Sequence, residues 1–167
     1  APVLTLPANQ TIEATSAAGA VATFAATATD VVSTPAITYT AASGSTFSLG
    51  TTTVTVTAKD AANNTATGSF TITVGDTTAP VLTLPANQTI EATSAAGAVA
   101  TFAATATDAV STPAISYTAA SGSVASGSTF SLGITTVTVT AKDAANNTAT
   151  GSFTITVRDT TPPVITP

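Results

Sequence analysis

The sequence predicts an all-β protein built of two tandem β-sandwich domains. One segment occurs twice, letter for letter, at 59–74 and 142–157. Apolar residues alternate with Thr or Ser in many short runs, which is the period of a β-strand with one buried face. Short turn-forming segments separate these runs at the spacing typical of a sandwich.

The repeat sets the domain boundaries. Residues 2–13 return as 80–91, an offset of 78 that becomes 83 after an insertion at 123–127. We therefore expect one domain over 1–76 and a second over 77–159. Segment 160–167 is expected to be a linker and the start of a third repeat, so that the natural chain continues in both directions. Short linkers that contain proline predict end-to-end stacking as a rod.

The predicted elements follow the same order in each repeat. In the first, a strand through Leu4 and Ile12 is interrupted at Pro7 and lies at a sheet edge. The other predicted elements are a second strand over 22–28, a third through Ile37 and Tyr39, a short strand and turn over 47–50, and a hairpin with its turn at 60–64.

A helix is the alternative for the Ala-rich runs, because Ala is the best helix former. The interleaved Thr and Val, and the lack of a capping box, disfavour it. About seven short strands per repeat predict an immunoglobulin-like topology. The predicted core is Phe24, Ile37, Tyr39, Phe47, Val54, Val56, Phe70 and Ile72, with Phe102, Ile115, Tyr117, Phe130, Val137, Val139, Phe153 and Ile155 in the second repeat.

Composition excludes several classes of function. Only 7% of the residues are charged, against about 25% in an ordinary domain. With three cations and a net charge of -5, no basic patch can follow a phosphate backbone, which excludes nucleic acid as a partner. Alternating strands give no apolar run long enough for a membrane span. A Thr-rich, charge-poor and cysteine-free chain fits an extracellular or cell-surface array.

The residue types needed for common catalytic sites are absent. The chain has no His and no Cys, so the usual triads and zinc sites are unavailable. Lys59 and Lys142 are expected to be solvated charges beside Asp60 and Asp143. The sequence therefore predicts that the protein is not an enzyme.

Several short motifs, taken in order, resemble the hyalin-repeat (HYR) family. They are Asp76 to Pro80, Pro85-Ala86-Asn87 with Glu91, Ser126 to Gly133, Asp143 to Asn147 and Phe153 to Val157, with Ser43 to Gly50 matching in the first repeat. The resemblance implies an immunoglobulin-like fold in extracellular multi-repeat proteins with roles in adhesion or surface architecture. This chain departs from the pattern because Leu6-Pro7 stands where Cys-Pro is common and Asn64 replaces the usual Gly.

We therefore expect a structural repeat module of an extracellular stalk, adhesin shaft or filament, with neighbouring repeats or identical subunits as partners. The alternative is an adhesive domain that binds a surface sugar or protein through loops such as 123–127. Triplets of the N-glycosylation type begin at Asn9, Asn63, Asn87 and Asn146. Such triplets also arise by chance in a Thr-rich chain, where the Asn residues serve as turn residues.

The sequence also predicts a Ca²⁺ site at the junction of the repeats. In an immunoglobulin-like domain the chain enters at the end that carries the second-to-third strand loop and the last hairpin loop. Ca²⁺ takes six to eight oxygen ligands. The predicted ligands are Asp76, Asp108, Asp143, Asn146 with its neighbour Asn147, and Glu13. The alternative is that Asp108 and Asp143 form Asx-type turns and Asp76 is solvated.

Overall fold

The computed structural model describes residues 1–165. The end of the predicted third-repeat segment, Thr166–Pro167, lies outside the described residues. Every regular element among the described residues is a β-strand. The chain divides into two compact units, one of Ala1–Thr77 with Ala109–Ser111 and the other of Thr78–Asp108 with Thr112–Pro167.

The first repeat contains eight strands. They are β1 (Val3–Thr5), β2 (Gln10–Glu13), β3 (Ala20–Val21), β4 (Thr27–Thr29), β5 (Ala36–Tyr39), β6 (Thr46–Phe47), β7 (Gly50–Lys59) and β8 (Thr65–Gly75). The main sheet has the order β2-β8-β7-β5, with β2 parallel to β8 and the other neighbours antiparallel. Two smaller sheets, β1-β4 and β3-β6, complete the sandwich.

The second repeat adds one strand to this plan. Its strands are β9 (Val81–Thr83), β10 (Gln88–Glu91), β11 (Ala98–Val99), β12 (Thr105–Thr107), β13 (Ala114–Ala119), β14 (Gly122–Ser123), β15 (Thr129–Phe130), β16 (Gly133–Lys142) and β17 (Thr148–Arg158). The main sheet has the order β10-β17-β16-β13-β14. Strand β14 pairs with the end of β13 and has no counterpart in the first repeat.

The long hairpin positions the core of each unit. Alternation along β7 and β8 turns one face inward, so that Val54 pairs with Phe70 across the sheet and both are buried. Phe24 lies at the centre of the aromatic cluster, with its ring centroid 4.9 Å from that of Phe70 and 5.3 Å from that of Tyr39. Phe102 takes the same central place in the second unit.

The predicted core is confirmed for most of its members. The following predicted residues are buried: Phe47, Val54, Val56, Phe70, Ile72, Phe102, Phe130, Val137, Val139, Phe153 and Ile155. Phe24, Ile37, Tyr39, Ile115 and Tyr117 are only partly buried and pack against the two clusters. Val74, Val157 and several alanines are buried as well, although the core prediction left them out.

The predicted second strand, over 22–28, is wrong for most of its length. Only Thr27–Thr29 forms a strand there, and residues 22–26 join no ladder. Ala22 bonds to the backbone of Ser45 and Gly44, and two N–H groups further along the segment bond to side chains. The Phe24 N–H donates to the Ser43 hydroxyl at 2.8 Å, and the Ala26 N–H donates to the Tyr39 hydroxyl at 2.8 Å.

The insertion also lies elsewhere than the sequence alignment suggested. The Gly127 N–H bonds to the Ala100 carbonyl as the Gly44 N–H bonds to that of Ala22, each at 2.8 Å. Val124 therefore takes the place of Ala41, and the added residues are 119–123 rather than 123–127. They form the β13-β14 extension.

Candidate functional site

The aspartates of the two hairpin turns, Asp60 and Asp143, occupy equivalent positions that are almost fully shielded from solvent. In the first repeat, the Asp60 carboxylate accepts hydrogen bonds from the backbone N–H and the side-chain amide of Asn64, each at 2.8 Å. Asp143 accepts the same two bonds from Asn147, also at 2.8 Å. Their relative exposures are 7% and 6%, so these carboxylates are buried but partnered.

The turn bonds favour the ionised form of the first of these carboxylates. The Asn64 side-chain amide holds the pKa of Asp60 below its ordinary value, the backbone N–H groups of Asn64 and Ala62 lower it further, and partial burial opposes them. Asp60 is therefore a carboxylate at neutral pH.

The structure brings two predicted metal ligands together within the second unit. A carboxylate oxygen of Asp108 and one of Asp143 lie within 4.8 Å of each other. This spacing is close enough for one cation to touch both groups. The turn bonds of Asp143 do not prevent this, because each carboxylate oxygen has a second lone pair.

The first repeat has the corresponding pair, Asp30 and Asp60, on the wall of one cavity of about 420 Å³. The amino group of Ala1 lies 4.0 Å from Asp30 Oδ2. Asp30 Oδ1 accepts a hydrogen bond from the Val32 N–H at 3.0 Å, an Asx-type turn of the kind that the alternative interpretation proposed for its counterpart Asp108. The paired-aspartate arrangement thus belongs to the repeat and is not particular to one copy.

The two asparagines of the second hairpin turn have different roles. Asn146 is exposed and adopts a left-handed conformation with φ 75°, as Asn63 does with φ 70°. Asn147 is the residue whose amide bonds to Asp143. A dipeptide of two asparagines gives no signal of which one faces the aspartate, so the predicted role of Asn146 as a ligand stays a prediction.

Glu13 has a role that the sequence did not reveal. Its carboxylate accepts hydrogen bonds from the Thr77 N–H at 2.8 Å and the Thr77 hydroxyl at 2.7 Å. Glu91 holds Thr160 in the same way at 2.7 Å for both bonds, and it also accepts the Thr161 hydroxyl at 3.0 Å. These glutamates therefore fix the chain as it leaves the last strand of its repeat.

The hydrogen bonds from Thr160 and Thr161 lower the pKa of Glu91 below its ordinary value. The Thr160 hydroxyl has the largest effect, followed by the Thr160 backbone N–H, and partial burial opposes both. The sequence signal for this Glu–Thr contact was the recurrence of a glutamate together with Asp-Thr-Thr after each repeat.

Asp76 is half-buried in the segment after β8, and its role as a metal ligand stays a prediction.

The added segment of the second repeat forms one side of a cavity of about 600 Å³. Ala119, Ala120 and Ser121 contribute to the lining, with Val124 and Ile134 as the largest aliphatic groups. The first repeat has Thr51 where the second has Ile134. Two of the differences between the repeats therefore meet at this surface.

The four candidate glycosylation asparagines are all exposed. Asn9 Oδ1 accepts a hydrogen bond from the Thr71 N–H at 2.9 Å, and Asn87 Oδ1 accepts one from the Thr154 N–H at 2.8 Å. These bonds tie the loop before β2 or β10 to the last strand. Glycosylation stays a prediction at all four positions.

Comparison with known proteins gives one clear family. The sequence matches the HYR domain over residues 1–74 and again over 75–157. Among curated proteins, none matches the chain. The described residues also contain no helix that is long and apolar enough to cross a membrane.

Solved structures with related folds are distant. The fibronectin(III)-like modules of Clostridium thermocellum CbhA are 14% identical with a TM-score of 0.43, and the match covers 94% of this chain and 95% of that one. The Ig1-2 module of the Drosophila receptor protein tyrosine phosphatase DLAR is 16% identical with a TM-score of 0.35, covering 94% and 98%. Sidekick-1 immunoglobulin domains 1–4 are 14% identical with a TM-score of 0.45, covering 95% and 49%. These likenesses carry no argument about function.

Proposed function

The chain belongs to the HYR domain family, and we propose that it is a structural repeat module of an extracellular or cell-surface array. The array would be a stalk, an adhesin shaft or a filament. HYR domains and immunoglobulin-like folds are typically non-enzymatic, which agrees with the absence of His and Cys from the sequence.

The near-identity of the two repeats carries the proposal. Apart from the added segment 119–123, they differ by five substitutions: Val31 to Ala109, Thr38 to Ser116, Ala41 to Val124, Thr51 to Ile134 and Gly75 to Arg158. A recognition function needs one specialised surface, whereas a function of length or spacing is served by copies of one unit. The surface agrees with this, since the outward positions of β7 and β8 are mostly threonines rather than groups arranged around a site.

Electron microscopy of native material, with an antibody against this chain, tests the proposal. Labelled stalks or fibres outside the cell envelope are the expected result. Label confined to the cell interior, or to globular particles outside, would contradict it. Protease treatment of intact cells provides a control, because an extracellular array is removed while cytosolic markers survive.

A second function, adhesion through the second repeat, is favoured by one observation. The added segment, Val124 and Ile134 come together around the 600 Å³ cavity, so two departures from the repeat pattern share a surface. The predicted loop 123–127 supplies Val124 to this lining, and 119–123 supplies the rest of the hairpin.

Deletion of 119–123 together with Val124→Ala and Ile134→Thr converts this surface to that of the first repeat. On the adhesive proposal, the variant loses binding to a sugar or protein ligand that the parent chain captures on a glycan or cell-surface array. The control is Thr51→Ile, which makes the reverse change in the first repeat. Binding unchanged by the deletion would exclude adhesion through this surface.

Ca²⁺ binding stays part of the proposal. Asp108 and Asp143 support it by their spacing within the second unit. Asp76, Asn146 and Glu13 are proposed as further Ca²⁺ ligands on the basis of the sequence alone. The Glu13 carboxylate also accepts two hydrogen bonds from Thr77.

A further inference from the structure

Strand β5 is the end strand of the main sheet of the first repeat and has one free edge. The Thr40 N–H donates to the Thr55 carbonyl at 3.0 Å, so this residue directs its backbone groups towards β7. Alternate residues of an antiparallel strand direct their N–H and C=O groups to opposite sides. Ile37 and Tyr39 therefore present both of their backbone groups at the free edge. Within residues 1–165, no hydrogen bond engages these groups.

The second repeat covers the same edge with its own chain. Tyr117 is the counterpart of Tyr39, and its carbonyl accepts the Val124 N–H at 3.1 Å. Strand β14, in the added segment, continues this pairing with Ala119 opposite Gly122 in antiparallel register. The edge of this sheet thus takes an antiparallel segment as its partner. One repeat supplies that segment itself, and the other does not.

The free edge of the first repeat lacks the usual protection. Natural sheets guard an edge with charged side chains, bulges or a covering segment. Residues 36–41 read Ala-Ile-Thr-Tyr-Thr-Ala and carry no charge, and Ile, Thr and Tyr favour strands. Pro35 has no N–H and limits pairing before the strand begins. The groups that remain for a partner are those of Ile37 and Tyr39, which fixes the register of any added strand.

We propose that β5 pairs edge to edge with β5 of a second copy of this chain, and that β14 prevents the same contact in the second repeat. The edge is complementary to itself. An antiparallel copy places each Ile37 opposite the Tyr39 of the other chain, so that every free N–H meets a C=O, and the two Thr38 residues face each other on the two-fold axis. The main sheets of two first repeats then form one continuous sheet.

This inference rests on the proposed array function and gives the array a lateral partner. The contact is isologous, so it closes after two copies. It is also small, so association of this chain should be weak and should rise with concentration. Salt should favour it by screening the repulsion between chains of net charge -5. Several such edges along one array would act together and hold two arrays side by side.

Sedimentation velocity of the chain at rising concentration is the first test. We expect monomers and dimers for the parent chain and monomers alone for Thr38→Lys, which places two like charges on the two-fold axis. The matched control is Ser116→Lys, the same change at the exposed counterpart on the guarded edge, and it should dimerise like the parent. A parent chain that is monomeric at every concentration, or a Thr38→Lys chain that still dimerises, would overturn the inference.

Transfer of the added segment between the repeats tests the role of β14. Insertion of Ala-Ala-Ser-Gly-Ser after Thr40 together with Ala41→Val gives the first repeat the edge of the second, and this chain should be monomeric. In a Thr38→Lys chain, deletion of 119–123 with Val124→Ala frees the second edge and should restore dimers. Dimers of the first variant, or a monomeric second variant, would overturn the assignment. Circular dichroism verifies that each variant is folded.

A disulfide tests the register. Residues that lie directly opposite at a non-hydrogen-bonded position have Cα atoms about 4.5 Å apart, which a disulfide can span. The chain has no Cys, so Thr38→Cys introduces a single thiol. Diamide, which oxidises two thiols to a disulfide, should convert this variant to a covalent dimer much faster than it converts Ser116→Cys. Equal rates for the two variants would overturn the proposed pairing.

The two proposals can fail separately. Labelled stalks or fibres in native material, together with a parent chain that stays monomeric in solution, would leave the array function standing and remove this contact. Dimers that Thr38→Lys abolishes, with no extracellular array in native material, would do the reverse.

Discussion

Single carboxylates hold the ends of each repeat in place. Asp60 and Asp143 close the hairpin turns through Asn64 and Asn147, and Glu13 and Glu91 hold the threonines that follow the last strand. Asp30 and Asp159 each accept a backbone N–H as well, from Val32 and Thr161. Six of the eight acidic residues therefore hold backbone outside the ladders, so most of the scarce acidic charge of this protein is structural.

Acid should destabilise the protein through two of these groups. The folded-state pKa values of Asp60 and Glu91 lie below the ordinary 3.8 and 4.5. Their contribution to the free energy of unfolding is therefore complete above the ordinary values and is lost as pH falls through the lowered ones. Urea unfolding at pH 7 and at pH 3 should show that Asp60→Asn and Glu91→Gln lower the midpoint at pH 7 and much less at pH 3.

Lys59→Gln is the matched control for charge, because it also alters one charge near the first hairpin turn without removing a turn bond. It should leave the pH dependence nearly unchanged. Equal losses at both pH values for the acid variants would contradict a role for the ionised carboxylates.

The Tyr39 hydroxyl should contribute to stability as an acceptor. Tyr39→Phe keeps the ring contact with Phe24 and removes the partner of the Ala26 N–H. An N–H left unpaired in a partly buried place costs about 1–3 kcal/mol. Chemical denaturation should show this loss, and Tyr117→Phe should reproduce it in the second repeat through the Ala104 N–H. Unchanged stability in both would contradict the assignment.

At the scale of elements, alternation predicted the strands whose partners are other strands. Strands β5, β7 and β8 follow the apolar and hydroxyl pattern because one face of each meets the core. Residues 22–26 alternate equally well and yet form no ladder. The Phe24 and Ala26 N–H groups bond to the hydroxyls of Ser43 and Tyr39, which lie many positions away, and a local period carries no information about such partners.

Some contacts of the candidate site could not be predicted from the sequence, because their partners are also far apart along the chain. The close approach of Asp108 and Asp143 followed from topology and was predicted. The Glu13 contact with Thr77 spans 64 positions, and no local pattern marks it. The place of the insertion was ambiguous because Ala-Ser-Gly-Ser occurs at both 120–123 and 125–128, so only hydrogen bonds could distinguish the two alignments.

Deletion of 119–123 should therefore be tolerated. The variant chain reads Thr-Val-Ala-Ser-Gly-Ser where the first repeat reads Thr-Ala-Ala-Ser-Gly-Ser from Thr40. Ser126 keeps its bond to the Phe102 N–H, as Ser43 does to that of Phe24. We expect a folded protein with near-parent stability that has lost β14. Deletion of 124–128 leaves Thr-Ala-Ala-Ser-Gly-Ser, the sequence of the first repeat, and should be tolerated equally. The contrasting variant is Ser126→Ala, which removes the hydroxyl that accepts the Phe102 N–H and should lower stability. A greater loss of stability for the deletion than for Ser126→Ala would contradict the assignment.

At the scale of the molecule, repetition places the same groups at regular intervals along the chain. The paired aspartates and the Glu–Thr contacts each occur once per repeat. A weak interaction that each repeat supplies becomes a property of the whole array when many copies act together. Ion binding would be such an interaction.

Ca²⁺ should bind this chain and raise its thermal stability. Asp108 and Asp143 offer carboxylate oxygens within 4.8 Å of each other in the second unit, and Ca²⁺ offsets the repulsion between such groups. An ion present at about 100 times its Kd would stabilise the folded form by about 2.7 kcal/mol. Calorimetry should therefore detect binding at millimolar ion or below, with loss on Asp108→Asn/Asp143→Asn and weakening on Asp76→Asn. Asp159→Asn removes an equal charge outside the pair and should leave binding unchanged. Unaltered melting from chelator to millimolar Ca²⁺ would assign both aspartates to their turns alone.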